Sequence, residues 1–359
     1  MPLRRLSLLL LLAPACAADD DEAARRAFLT TLADHVIVPI QADLAASSAT
    51  LAGDLGAVCE APEQAALDAA RHSWAAVRDR WDCAGAWFFG PVVTGMHGGP
   101  LDFWPVRVDS VESAITAATT VDAAAIDALG TSAKGIPALE YLLFGDPQDD
   151  AATLAALDDA HRCAYASALA DDIAERTAAI AKAWSDEHAT ALKTAGEGSS
   201  DYPSTQAALD AVVNASIENL YGIVKTKLDR PLGNLTDGTV DPEQLESRFS
   251  GRTRDDLLAA LGGFQLVYHG PDRAPGDIAG LDALVAARDP ELDGRITAQL
   301  TRSLAAVEAL PTPAVDTLAA DRGAFQTARD EVDALRRFIK LDVASLLNVT
   351  LSISDNDGD

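Results

Sequence analysis

A single carboxylate interrupts the apolar face of one short predicted helix. The segment 135–146, GIPALEYLLFGD, is typical of a helix with Pro137 in its first turn and Gly145 just past its end. Glu140 shares a face with apolar residues at helical spacing, namely Ile136, Leu139 and Leu143. A carboxylate on such a face must find a cation, a metal or several hydrogen-bond donors, or it must hold a proton. Glu140 is therefore the first candidate for a binding or structural role.

A second group of polar residues follows Asp241, which is a predicted helix N-cap. In the helix that would start there, Glu246 and Ser250 lie one turn apart and Arg248 points elsewhere. Two interpretations follow. In the first, the Arg248 guanidinium forms a bidentate pair with Glu140 across an interface between domains. In the second, Glu140, Glu246 and Ser250 supply hard oxygen ligands to a cation.

The histidines give weaker signals. His97 lies in the glycine-rich stretch 96–99, a predicted loop from which its ring could approach a ligand. The other five are expected on helices or at a helix end, where packed or surface histidines are common: His35, His72, His161, His188 and His269. The sequence contains no His-Glu-x-x-His, Gly-x-Ser-x-Gly or phosphate-loop motif, so it carries no signature of a zinc peptidase, an α/β-hydrolase or a P-loop NTPase.

Composition bounds the class of protein. At 359 residues the chain is long enough for two domains. Apolar residues make up 48% of it but aromatic residues only 5%, and small side chains such as alanine suit closely packed helices. The formal net charge of −27 argues against binding of nucleic acid, which requires clustered Lys and Arg.

The N-terminus has the pattern of a secretion signal, because two arginines precede an apolar run over 6–12 and small residues follow it. Cleavage before Cys16 would remove residues 1–15 and make a lipoprotein with an acidic tether over 16–25. Cleavage after Ala17 would release a soluble protein instead, and of the two we favour the lipoprotein. Either way we expect an exported, periplasmic or outer-membrane-anchored protein of the cell envelope. No other run approaches the length of a membrane span, so only a lipid anchor would attach it to a membrane.

Three cysteines remain beyond Cys16. The predicted helix between Cys59 and Cys83 would separate them by roughly 30 Å, too far for a disulfide. We expect Cys59 to pair with Cys163, while free thiols remain the alternative.

Helical periodicity runs through nearly the whole chain, and no convincing strand pattern appears. The polar, Gly- and Ser-rich linker 196–203 would separate a helical bundle over 26–195 from a second one over 204–359. Three local expectations concern helix ends and the core: a kink or break near Pro39, a core stripe through Trp74 and Trp81, and a capping box that starts a helix at Thr253.

Four blocks of sequence, in order, resemble the imelysin-like family of bacterial envelope proteins. The family signature Gly-x-His-x-x-Glu is matched by Gly135 and Glu140, whereas Pro137 replaces the histidine. Proline can neither ligate a metal nor transfer a proton, so this replacement counts against histidine-dependent chemistry. The other blocks are Phe103-Trp104-Pro105, the second-domain segments 227–233 and 241–250, and the acidic end 355–359.

The resemblance implies an all-α fold of two antiparallel helical bundles that meet at a cleft. A short echo between 135–146 and 263–272 is compatible with an internal duplication. The motif and cleft residues would be Gly135, Pro137, Trp104, Arg248 and His97. Because several members of the family are linked to iron uptake, the expected function is non-enzymatic binding of iron, another divalent cation or an envelope partner. Two alternatives remain: a metallopeptidase of the imelysin type, and a scaffold lipoprotein that docks another envelope protein without a metal.

Overall fold

The fold is all-α, which confirms the predicted class. The computed structural model describes residues 15–117, 121–199, 201–271 and 280–352, and within them the ordered elements are helices, with one isolated β-bridge between Gly145 and Gln148. The secretion signal, the side chain of Cys16 and the acidic end 355–359 lie outside what the structure describes.

Most of the described chain is α-helical. Up to residue 199 the α-helices are α1 (Ala15–Thr31), α2 (Val38–Glu60), α3 (Gln64–Ala84), α4 (Pro91–Thr94), α5 (Gly98–Leu101), α6 (Val108–Ala117), α7 (Ala123–Asp127), α8 (Ile136–Phe144), α9 (Asp150–Leu157), α10 (Ala160–Ala183) and α11 (Ala189–Lys193). From residue 201 they are α12 (Thr205–Tyr221), α13 (Thr253–His269), α14 (Leu281–Ala286), α15 (Pro290–Glu308), α16 (Ala314–Thr317), α17 (Arg322–Arg337) and α18 (Ala344–Leu346).

Wider and tighter helical turns extend or link these helices. The π-helical segments are Leu32–Ile37, Trp184–His188, Gly222–Asp229 and Phe338–Val343, and the 3-10 turns are Gly85–Trp87, Thr131–Ala133 and Pro242–Gln244. The first π-helical segment explains why Pro39 does not end the helix that contains it. The Val38 N–H donates to the Ala33 carbonyl five residues back, and the backbone stays helical into α2.

Two predictions about the segment before α13 were wrong. Only Pro242–Gln244 is helical, as a 3-10 turn capped by Asp241, and Ser247 then takes a left-handed conformation with φ of 47° that ends any helix. Thr253 is the first residue of α13 rather than a cap, and its hydroxyl donates to the Glu246 carbonyl at 2.5 Å. Residues 245–252 therefore form a set of turns that present their side chains to the first half of the chain.

Helices from both halves of the chain share one hydrophobic core. Helix α2 packs between α3 and α10, while α13 packs against α3 on one side and α15 on the other. The predicted stripe on α3 is buried, with Trp74 fully enclosed and Trp81 nearly so. At the crossing of α3 and α13, a Cβ on Gly263 would overlap the Cys83 carbonyl oxygen, so glycine allows this close approach. The two halves of the chain thus meet along α3 and α13.

One stretch of the described chain would be long and apolar enough to cross a membrane, contrary to the expectation from the sequence. It runs from Asp21 to Glu60. In the structure its apolar side, including Leu44, Leu51 and Leu55, is buried in the core. A core helix of a helical fold meets the same criterion, so this stretch is weak evidence for a membrane span.

A disulfide joins α2 to α10. It links Cys59 and Cys163, whose Cα atoms are 5.6 Å apart, and closes a loop with a sequence separation of 104 residues. Cys83 carries a free, partly buried thiol.

Removing this disulfide should destabilise the fold, because the crosslink restricts the unfolded chain. We expect the double substitution of Cys59 and Cys163 by alanine to lower the free energy of unfolding by about 2–5 kcal/mol. Urea unfolding monitored by circular dichroism measures the change, with Cys83→Ala as the control that leaves the crosslink intact. Equal unfolding midpoints for the double variant and the unaltered protein would contradict this role.

Candidate functional site

Glu140 lies inside the protein, on helix α8. The helix starts after Gly135 and carries Pro137 in its first turn. Gly135 has a φ of 89°, and a Cβ atom at this position would lie 2.5 Å from the Leu101 carbonyl oxygen. The carboxylate is 3% exposed. Its Oε1 atom accepts hydrogen bonds from the backbone N–H of Ser250 at 2.8 Å and from the Ser250 hydroxyl at 2.9 Å. The isolated acid of the first half is thus held by donors from the second half.

Burial controls the protonation of Glu140. Removal from water raises the pKa of its carboxyl to about 7, although the two hydrogen bonds from Ser250 and the charge of Arg78 lower it. Glu140 therefore exchanges a proton near neutral pH.

Arg248 does not pair with Glu140, and that expectation was wrong. Its guanidinium lies 3.2 Å from the Asp146 carboxylate and 4.0 Å from the centre of the Phe249 ring. The reason is the chain path: the turn at Ser247 directs Ser250 towards Glu140 and leaves Arg248 at a partly exposed rim. The donors of Ser250 satisfy the carboxylate in place of the arginine.

Glu246 belongs to a different group of side chains, centred on Arg78. The Arg78 guanidinium contacts Asp82 at 2.9 Å, Asp102 at 2.7 Å and Glu246 in a short contact. Asp256 is farther away, with its Oδ2 atom 3.8 Å from Arg78 Nε. Arg78 itself is 1% exposed. One buried cation thus faces four carboxylates.

A second cation completes this group. The ammonium of Lys227 lies 2.6 Å from Asp82 Oδ1 and 2.5 Å from Glu246 Oε2. Desolvation lowers the pKa of Lys227, but the charges of Asp82 and Glu246 outweigh it and raise the pKa above its usual value. The ammonium therefore stays charged. We call the six side chains the charge cluster: Arg78, Asp82, Asp102, Lys227, Glu246 and Asp256.

Separate elements bring the cluster together. Arg78 and Asp82 are one turn apart on α3, and Asp102 directly follows α5. The second half supplies Lys227 from the π-helical segment Gly222–Asp229, Glu246 from the turns and Asp256 from α13. Because Glu140 anchors Ser250 in the same set of turns, it also helps to position Glu246. The cluster therefore forms only when both halves of the chain are assembled.

Asp256 is the residue that distinguishes this cluster from an ordinary ion-pair network. Its side chain is fully buried, and neither carboxylate oxygen has a hydrogen-bond partner among the described residues. The nearest cationic atoms are Arg78 Nε at 3.8 Å and Arg252 Nε at 4.0 Å, and Arg252 is already bound to Asp79 at 2.5 Å. Burial, with the neighbouring charge of Asp82, raises the pKa of Asp256 well above its usual range.

Three carboxylates of the cluster have the arrangement of cation ligands. One oxygen each of Asp82, Glu246 and Asp256 lies within 4.8 Å of the others, and all three side chains are buried. We call them the acidic triad. With every group ionised, the cluster has four negative and two positive charges, a net charge of −2. Hard carboxylate oxygens and an excess of two negative charges fit a hard divalent cation.

A cavity of about 320 Å³ opens onto the cluster. Asp82, Asp102 and Lys227 form its polar wall, and Trp81 and Phe88 form an aromatic wall. The cavity therefore provides a path between the cluster and the protein surface.

The remaining predicted site residues lie elsewhere. Trp104 donates its indole N–H to the Leu245 carbonyl at 3.0 Å, next to Glu246, and Arg230 lies over its ring. Trp104 thus supports the turn before the cluster. His97 lines a separate cavity with Asp127, Asp172, Glu175 and Arg176.

Sequence reasoning missed five members of the charge cluster: Arg78, Asp82, Asp102, Lys227 and Asp256. A usable signal existed for Arg78. It falls four residues after Trp74 and three before Trp81, so a charge lies on the apolar stripe of α3. Asp256 gave a similar signal, since it shares a face of α13 with Ala260 and Gly263.

Comparison with known proteins identifies the class. The imelysin family model, which carries the label of a peptidase family, matches residues 37–340. This chain therefore belongs to the imelysin family. It is 30% identical over 322 residues to iron-regulated protein A of Synechococcus elongatus, covering 88% of this chain and 84% of that protein.

Two crystal structures share the fold. One is of a protein described as an iron-regulated protein A precursor, from Parabacteroides distasonis, with a TM-score of 0.79, 18% identity and coverage of 90% of this chain and 95% of that one. The other is an imelysin-like protein from Psychrobacter arcticus, with a TM-score of 0.76, 20% identity and coverage of 92% and 98%. The apolar N-terminal segment and the disulfide indicate export of this chain as well.

Proposed function

We propose that this protein binds a divalent metal ion, iron in the first place, at the acidic triad of Asp82, Glu246 and Asp256, and that it serves iron acquisition in the cell envelope. The proposal keeps Glu246 from the ligand set predicted from sequence. It replaces Glu140 and Ser250, which bind each other, by two acids of the cluster.

Asp256 carries the proposal. A carboxylate that is fully buried without a hydrogen-bond partner costs several kcal/mol, and that cost is retained only where something offsets it. A proton offsets it in part, which agrees with the raised pKa of Asp256. A cation held between Asp256, Glu246 and Asp82 would offset it more fully. It would also neutralise the net charge of −2 that the cluster carries when all four acids are ionised.

The chemistry of the donors narrows the class of ion. The triad offers only carboxylate oxygens, and these favour hard cations such as Mg²⁺ and Mn²⁺ over ions that select thiolates, while Fe²⁺ also accepts carboxylate ligands. The name of the Synechococcus relative, iron-regulated protein A, connects that protein with iron. This chain shares 30% identity with it over most of its length, which supports iron as the physiological ion.

The setting of the site follows from the same proposal. Two helical bundles, 26–195 and 204–359, would meet along α3 and α13 with the triad between them, joined by the linker 196–203. Acylation at Cys16 would anchor the protein to the membrane. The triad would then face the periplasmic or extracellular supply of metal through the cavity next to Lys227.

Calorimetric titration of the exported protein with Mn²⁺, an air-stable substitute for Fe²⁺, tests the function. We expect one ion per chain and a loss of affinity of about a hundredfold or more in Asp256→Asn, since the amide removes a charged ligand. The matched control is Asp255→Asn, the adjacent acid on the same helix, whose side chain is 42% exposed. Equal Mn²⁺ binding by the two variants, or no binding by the unaltered protein, would refute the assignment.

A further inference from the structure

We propose that Lys227 is a built-in competitor for the metal: the incoming ion takes the place of its ammonium, which moves into the adjoining cavity. This inference rests on the proposed function and assigns the residue that sets the affinity and the charge selectivity of the triad. Its basis is where the ammonium lies and what surrounds it.

The ammonium of Lys227 is bound to two of the three acids that a metal would need. Lys227 Nζ lies 2.6 Å from Asp82 Oδ1 and 2.5 Å from Glu246 Oε2, so it bridges two of the three acids in the triad. The other oxygens of these two acids face Arg78. An ion that binds Asp82, Glu246 and Asp256 together therefore competes with the two cations for the carboxylates of Asp82 and Glu246.

Of the two cations, Lys227 is the one able to leave. Arg78 is 1% exposed, sits within helix α3 and contacts several carboxylates with its rigid, planar group. Lys227 is a point charge on a flexible stem, its side chain is 15% exposed and it lines the cavity of about 320 Å³. Asp102 lies on the same cavity wall, 21% exposed, and can accept the displaced ammonium.

The exchange determines which ions can bind. A monovalent ion brings the same charge as the tethered ammonium and has no electrostatic advantage over it, while the tether keeps the local concentration of the ammonium high. A divalent ion brings one more positive charge than the ammonium into a cluster in which four acids face two cations. Lys227 therefore excludes Na⁺ and K⁺ and lowers the affinity for divalent ions to a level that permits release.

The π-helical geometry supports this role. Lys227 lies in the segment Gly222–Asp229, a wide helical turn of the kind found often at functional sites. Lys225, in the same segment, instead pairs with Asp229 at 3.0 Å and lies outside the cluster. The segment thus supplies both the candidate residue and a matched control.

Mn²⁺ titration of Lys227→Met and Lys225→Met, with Na⁺ as competitor, tests the exchange. We expect Lys227→Met to bind Mn²⁺ about tenfold more tightly or better and to become sensitive to Na⁺, and Lys225→Met to match the unaltered protein. An equal increase in Mn²⁺ affinity in both variants would mean that removing any nearby positive charge has this effect, and it would overturn the inference. An unchanged Mn²⁺ affinity in Lys227→Met would overturn it as well.

Amine labelling of the unaltered protein gives a second readout that needs no substitution. In the absence of metal, Lys227 is held between two carboxylates and should react slowly with an acylating reagent. Adding Mn²⁺ should increase acylation at Lys227 severalfold, as counted by mass spectrometry, while Lys225 stays constant. If Mn²⁺ binds with the expected dependence on Asp256 but labelling of Lys227 does not change, the exchange is refuted and the proposed function stands. If the unaltered protein binds no Mn²⁺, the proposed function fails and the exchange with it.

Discussion

Arg78→Met is expected to lower the free energy of unfolding by about 3–5 kcal/mol, the largest effect of any single substitution considered for the charge cluster. The arginine contacts Asp82 at 2.9 Å, Asp102 at 2.7 Å and Glu246, and methionine would leave these carboxylates with Lys227 as their remaining cation inside the cluster. Removing one partner of a buried ion pair destabilises the fold by more than the pair itself stabilised it, because the remaining charge stays buried without compensation. Urea unfolding at neutral pH measures the loss.

Arg80→Met is the matched control for this substitution. Arg80 lies two residues further along α3, is partly exposed and donates to the Ala76 carbonyl of its own helix rather than to an acid of the cluster. Its replacement should cost less than about 1 kcal/mol. If Arg78→Met and Arg80→Met unfold at the same urea concentration, the cluster is not the organising contact between the two halves of the chain.

Glu140→Gln is expected to stabilise the protein at alkaline pH and to flatten the dependence of stability on pH. Burial raises the pKa of the Glu140 carboxyl from 4.5 to about 7. The folded state therefore holds this proton more tightly than the unfolded chain does. The stabilisation that this tighter proton binding gives the folded state is complete below pH 4.5, declines as pH rises, and is lost above about pH 7. Across this window the free energy of unfolding should fall by roughly 3 kcal/mol because of Glu140.

Glutamine cannot ionise, and its carbonyl oxygen can still accept both hydrogen bonds from Ser250. Unfolding free energies measured at intervals from pH 4 to pH 9 should converge for Glu140→Gln and the unaltered protein at the acid end. They should diverge above neutrality, with the variant more stable. Glu243→Gln, which replaces an exposed acid near the same turns, should keep the original profile. A variant less stable than the unaltered protein at pH 8 would contradict the assigned cost of the buried carboxylate.

The sequence was sufficient for the all-α class because helices have a strong local signal. The periodic spacing of apolar residues identified the helix around Glu140, the core positions of Trp74 and Trp81, and the absence of a convincing strand pattern. It could not foresee the π-helical turn before Pro39, since a wider turn depends on packing against neighbouring helices. It also missed the left-handed Ser247, because serine carries no preference strong enough to mark that conformation.

For the site, the sequence predicted which residue is buried but not which side chains surround it. The sequence indicated that Glu140 would be buried and held by a specific counterpart, but one interpretation paired it with Arg248 and the other made it a cation ligand with Glu246 and Ser250, whereas in the structure Ser250 binds it directly. Pairing of this kind depends on how the turns 245–252 approach α8, which is a tertiary relationship. The charge cluster was missed because its members come from α3, the end of α5, a π-helical segment and α13. No local spacing connects them, and only the assembled halves bring them within contact.

Crystals of the protein soaked in Mn²⁺, with data collected at a wavelength where manganese scatters anomalously, would show whether the acidic triad binds a metal. We expect one strong anomalous peak among the carboxylates of Asp82, Glu246 and Asp256, accompanied by movement of the Lys227 ammonium into the cavity. A peak between Glu140 and Ser250, or a triad that still holds the ammonium of Lys227 at saturating Mn²⁺, would contradict it.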